Sequence, residues 1–270
     1  MTKRVARNRA VGDKKQRTAS KKGLIRFFYS PRYPYWLFLI YWAQWLVWAI
    51  YPWFFPEWLL ENILPILFLA ILIATFRSFR LSHISYTLIF FFLCLHTIGA
   101  HYTYSLVPYD AWFQKLGGIS LNEVLGFRRN HYDRFVHFAF GLLFAYPIRE
   151  VFLRIVGVRG FWGYYLPLDL TMSFSMLFEL IEWAVAAVFG GDVGQAYLGT
   201  QGDVWDAHKD MALATAGAVV SMAVVSFINW KLDRRFGKEW RQSLAVKDSK
   251  PLGEVKLREM IQDSSKEPRH

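Results

Sequence analysis

The chain has a single cysteine, Cys94, among 270 residues, so no intramolecular disulfide can form. It has no internal repeat, no glycine-rich phosphate loop, and no Ser-His-Asp or Cys-His arrangement that spacing alone supports. The first 26 residues are basic and lack both an apolar core and a small-residue cleavage site ahead of Phe27, which excludes a secretory signal peptide there. Acids are few, 21 Asp and Glu against 32 Lys and Arg, giving a net charge of +11. That scarcity makes the position of each acid informative.

What the chain has in abundance is apolar and aromatic surface: 54% hydrophobic residues, with 24 Phe, 14 Tyr and 12 Trp. This is too apolar for a soluble domain of this size and predicts a multi-span membrane protein. Apolar runs near the roughly 20 residues needed to cross a hydrocarbon core lie at 35–55, 58–76, 83–104, 135–155, 164–189 and 207–230. The expected fold is therefore an all-α bundle of about six transmembrane helices.

Lys and Arg crowd both ends of the chain, Arg77 and Arg80 follow the second run, and Arg149, Arg154 and Arg159 follow the fourth. By the positive-inside rule these segments and both termini are expected in the cytoplasm. The connections around Pro56 and over 189–206 carry no Lys or Arg. Lys115, Arg128 and Arg129 are the exception, in a segment that six spans would place outside. That segment, with its Gly-Gly break, suits a short interfacial helix anchored by Trp112 and Phe113. The expected organisation is a basic tail over 1–30, a membrane domain over 31–232 and a charged tail over 233–270 with a short helix near 254–262. The tails read as topogenic, and no specific nucleic acid is expected as a partner.

The first three runs read as nearly free of charge, whereas the last three hold carboxylates. Asp133 and His137 are four apart, Glu179 and Glu182 three apart, and Asp203, Asp206 and Asp210 follow the spacing of one helical stripe. A charge within a bilayer costs several kcal/mol unless a partner or water meets it, so such acids usually serve function. Six spans would bring these faces to one level, in the outer half of the membrane, with His96 and His101 at the same level and His208 as a further histidine on the sixth run. Counter-charge would have to come from protons, Arg134, Lys209 or a bound cation. Oxygen donors with an imidazole suit a divalent metal, here Asp133, His137, Asp206 and Asp210, with Glu179 or Glu182 as general base. A metal at that depth would stand beside an envelope lipid or a lipid-linked phosphate. Plainer roles stay open: a helix-starting charge pair for Asp133 with Arg134, a bundle hydrogen bond for His137, and an N-cap or loop role for Asp203. Two further functions also stay open, a proton- or cation-coupled transporter and a structural or partner-binding protein.

The stretches NHYDRFVHFAFGLL, PIRE, FELIEWAVAAVFGGDVGQAYLGTQGDVWDAHKDM and ALATAGAV resemble the YjdF-like family of bacterial inner-membrane proteins. More distantly, the order of D-R-x-x-H-F, a glutamate motif and D-x-x-D-x-x-x-D is similar to the VanZ-like family, associated with glycopeptide antibiotic resistance. Glu182 and Asp210 depart from that second pattern, where Gln and Asn are usual, so the site here is more acidic. The resemblance implies a multi-pass inner-membrane protein and adds weight to Asp133, His137, Glu179, Asp206 and Asp210. It brings no reaction with it.

Overall fold

The computed structural model describes residues 28–247 and 252–264, so almost all of the expected basic tail lies outside the described residues. The described residues are all-α, with no strand. The helices are α1 (Tyr33–Trp48), α2 (Phe55–Thr75), α3 (His83–Tyr102), α4 (Tyr109–Gly117), α5 (Leu121–Leu125), α6 (Tyr132–Val151), α7 (Trp162–Phe189), α8 (Gly191–Leu198), α9 (Asp206–Leu232), α10 (Phe236–Ser243) and α11 (Leu252–Ser264).

Four of these, α2, α3, α7 and α9, are long and apolar enough to cross a membrane. The other two expected spans fall short for separate reasons. Helix α1 has 16 residues, about 24 Å at 1.5 Å per residue against a core of about 30 Å. It stops well before residue 55 because Pro52 disfavours helical backbone at the residue before it, and Tyr51 turns into the left-handed region at φ 50°. Helix α6 has the length but carries Asp133, Arg134, Arg149 and Glu150 at its two ends.

The pairing that organises the site is between α6 and α9, which run parallel with a constant offset. Gly141 faces the backbone of Ala214, and Gly217 faces the backbone of Phe138 and Leu142. A β-carbon at either glycine would collide with main chain, so only glycine permits this approach. Ala145, Ala214 and Ala218 beside them are fully buried. The same offset sets Asp133 beside Asp206 and His137 beside Asp210, so small residues in mid-helix hold the polar residues together at the helix starts.

Two connections differ from the expectation. The interfacial segment forms two short helices, α4 and α5, clipped by Asp110, which accepts from Ser120 Oγ at 3.0 Å and from the Asn122 N–H at 2.9 Å. Here Phe113 is exposed, while Trp112 packs against the Tyr104 and Val107 cluster. The stretch 189–206 is not simply a loop. Gly190 and Gly191, at φ 58° and 52°, reverse the chain after α7 and start α8, which folds back against α7 and α2.

At the opposite end of the bundle, Glu150 at the close of α6 accepts from the Ser82 N–H at 2.9 Å and from Ser85 Oγ at 2.6 Å, anchoring the start of α3. Nearby, α10 docks beneath α7: Trp162 Nε1 donates to the Ser243 carbonyl at 2.8 Å and Trp240 packs on Phe161. The beginning of the C-terminal segment is thus attached to the bundle, and α11 covers the helix expected near 254–262.

Candidate functional site

The starts of α6 and α9, the last turns of α7 and the start of α2 meet at one end of the bundle. Its rim is a network of charges. Arg134 Nη2 donates to Asp203 Oδ2 at 2.5 Å and to Asp206 Oδ1 at 3.1 Å. Arg129 pairs with Asp206, and Lys209 Nζ donates to Asp203 Oδ2 at 2.5 Å. Arg129, whose charge looked anomalous for an outer segment, is a counter-charge here. Asp203 has the loop role left open for it: its Oδ1 also accepts the Trp205 N–H at 3.1 Å. The Lys209 ammonium beside it, with the Trp205 N–H and Arg134, holds the Asp203 carboxyl well below the usual carboxylate range.

One turn deeper, Asp133, His137 and Asp210 each direct a ligand atom to a common point, all within 4.8 Å of one another. His137 Nε2 lies 3.6 Å from Asp133 Oδ1 and 3.5 Å from Glu179 Oε1. Ligand atoms each about 2.1 Å from one ion stand about 3 to 3.5 Å apart, which the two His137 separations approach, whereas the whole group is held only within the wider 4.8 Å limit. Asp210 Oδ1 and Glu179 Oε1 are buried and have no hydrogen-bond partner among the described residues. Buried carboxylate oxygens are normally satisfied, and two orphans near one imidazole are donors of the type a divalent ion takes. Asp206, expected as a fourth ligand, stands outside this group, because Arg129 and Arg134 engage its Oδ1. Glu182, three residues on and on the same face of α7, is buried as well.

Two further acids, not singled out by sequence, belong to this site. Glu57 and Glu61 of α2 are only 2% and 4% exposed, and Oε2 of each has no partner among the described residues. They join Glu182 and Asp133 along the wall of one cavity of about 670 Å³. The charge-free character expected for the first half of the chain therefore fails at α2. Their i, i+4 spacing at the edge of an apolar run was the available signal, but an acid in the first turn of a helix is ordinary. Away from its acidic end the cavity is apolar, with Leu64, Phe68 and Ile71 of α2 facing Phe140, Phe144 and Leu177.

None of the three histidines noted beside the acids joins the Asp133, His137 and Asp210 group, although His96 lines the same cavity. His96 is buried between the Glu61 carbonyl and the Tyr104 hydroxyl, His101 Nδ1 meets the Trp48 carbonyl at 2.7 Å, and His208 is exposed and packs on Trp205.

The family described as "Predicted membrane protein (DUF2238)" matches residues 33–231. "Inner membrane protein YjdF" of Escherichia coli (strain K12) is 36% identical over 181 residues, covering 67% of this chain and 82% of that protein. No solved structure matches the chain. The chain is thus a multi-pass inner-membrane protein and belongs to the YjdF-like DUF2238 family.

Proposed function

We propose that the chain spans the membrane six times with both termini in the cytoplasm, and that its acidic pocket opens away from the cytosol. In this reading the pocket binds a divalent metal through Asp133, His137 and Asp210 and acts on, or senses, an envelope lipid or lipid-linked substrate. The basic segment over 1–30 and the charged segment over 233–270 flank a membrane domain over 31–232.

The observation that carries the reading is the convergence of two carboxylates and an imidazole, with an orphaned Asp210 oxygen, at the head of a long apolar cavity. A bound divalent metal supplies Lewis-acid polarisation of a phosphoryl or carbonyl oxygen and acidifies a water. Glu179, 3.5 Å from His137, would serve as the general base beside such a metal. Glu182 extends the acid row toward Glu57 and Glu61 of α2 along the cavity wall. Asp206 holds Arg129 and Arg134 at the rim and braces the starts of α6 and α9.

The test is elemental analysis of purified protein beside variants. Wild type and Asp206→Ala should carry metal, whereas His137→Ala and Asp210→Ala should lose it while remaining monodisperse. Equal metal content in all four, or none in any, would sink the reading.

A second reading, a proton- or cation-coupled transporter, draws support from the acid row itself, which runs from Asp210 through Glu179 and Glu182 to Glu61 and Glu57. Cation-driven flux in liposomes that Glu182→Gln abolishes would favour it over the metal site.

A further inference from the structure

We propose that the cavity seats one hydrocarbon chain of an aminophospholipid, whose primary ammonium is received by Glu57, Glu61 and Glu182. This deepens the lipid reading above and rests on it, but it does not depend on a metal.

The apolar part of the argument comes from α2 and α7. They are the least buried of the four long helices, with 22% and 17% of their apolar windows covered. The cavity between them, at about 670 Å³, is within the range of small-molecule sites. Its lining on α2 runs from Glu57 to Thr75, about 27 Å at 1.5 Å per residue. One leaflet of hydrocarbon is about 15 Å deep, so a lipid chain that starts at the acidic end extends fully without leaving the groove. Ile71 and Leu177 flank the groove and are 61% and 49% exposed, so it is open toward the bilayer and a chain can enter sideways.

Charge decides the head group. No Lys or Arg is among the residues lining the cavity, whereas Glu57, Glu61, Asp133 and Glu182 are. The cations nearest this end, Arg129, Arg134 and Lys209, are bound to Asp203 and Asp206. Glu57 and Glu61 are almost fully buried, and each offers an oxygen with no hydrogen-bond partner among the described residues. A ligand that satisfies them must bring donors and positive charge. A primary ammonium has three N–H donors for three carboxyls. A trimethylated ammonium has none, and a glycerol head group brings no cation to offset its phosphate.

The experiment is native mass spectrometry of delipidated, full-length protein titrated separately with phosphatidylethanolamine, phosphatidylcholine and phosphatidylglycerol of matched chains. Phosphatidylethanolamine should bind about tenfold more tightly than either of the others. Glu57→Gln/Glu61→Gln should reduce that preference to about twofold or less without changing metal content. Ile71→Trp/Leu177→Trp, two changes at exposed positions, should leave the protein monodisperse and weaken binding of all three lipids. Equal binding of the three lipids, or a preference that survives the glutamine changes, overturns the ammonium assignment, while binding that the tryptophans still block leaves the lipid reading standing. If no lipid binds, or the tryptophans change nothing, the groove assignment falls as well.

Discussion

His96 Nε2 lies 3.0 Å from the backbone carbonyl of Glu61, the carbonyl that Pro65 deprives of its helical donor. Proline has no N–H to give the residue four before it, and a bare carbonyl in a membrane interior costs roughly as much as a lost hydrogen bond. The imidazole fills that vacancy by donating from Nε2, and its Nδ1 then accepts from the Tyr104 hydroxyl. One side chain of α3 thereby fixes the turn of α2 that carries Glu61.

Replacing His96 by Phe should cost about 2 kcal/mol by orphaning the Glu61 carbonyl. Pro65→Ala restores the missing N–H, so the double variant should recover about 1 kcal/mol of that loss. Thermal unfolding of the purified variants in detergent measures both, and an additive double variant would show that the two residues are not coupled.

The close approach of α6 and α9 predicts a steep penalty for size. Gly217→Leu pushes a side chain into the backbone of Phe138 and Leu142 and should destabilise by about 3 kcal/mol or more. Because the same pairing aligns His137 with Asp210, metal retention should fall with it. Gly237→Ala, at a glycine with open space around it, is the matched control and should leave both unchanged.

Stability should fall in acid through Asp203. Its carboxyl is held below the usual range in the fold, so it contributes fully above its unfolded pKa of about 3.9 and loses that contribution as pH falls toward the folded value. The thermal midpoint should drop as pH is lowered below about 4, and Asp203→Asn should show a lower plateau with a shallower acid slope. A variant curve parallel to wild type at all pH values would remove Asp203 from the account.

The orientation can be read by labelling. In a Cys94→Ser background, Leu116→Cys on α4 and Val246→Cys after α10 place single thiols at positions 89% and 83% exposed. An impermeant maleimide applied to spheroplasts should modify the first and reach the second only after lysis. The reverse pattern would turn the pocket toward the cytosol.

Much of this protein is written locally. The α2, α3, α7 and α9 spans are legible as apolar runs because a bilayer demands continuous apolar length, and Glu179 and Glu182 stand out because a carboxylate well inside such a run has no inexpensive alternative, while Asp133, His137 and Asp210 are marked by helical spacing. The truncation of α1 at Trp48 was also available, through Pro52, but the aromatic run around it masked the break. Helix α8 was hidden by its short length and flanking glycines.

Hydropathy and helical spacing act over a few turns of one segment, and they suffice to assign the class of molecule and to mark the acids that need explaining. Which acids keep company depends on how the helices pack. Asp206 has the same spacing credentials as Asp210, yet Arg129, 77 residues away, engages it and leaves Asp210 beside His137. Glu57 and Glu61 look like ordinary helix-start acids until the packing of α2 buries them at the head of the cavity. Partner choice among charges depends on distances through space, which the spacing of residues along one helix does not encode.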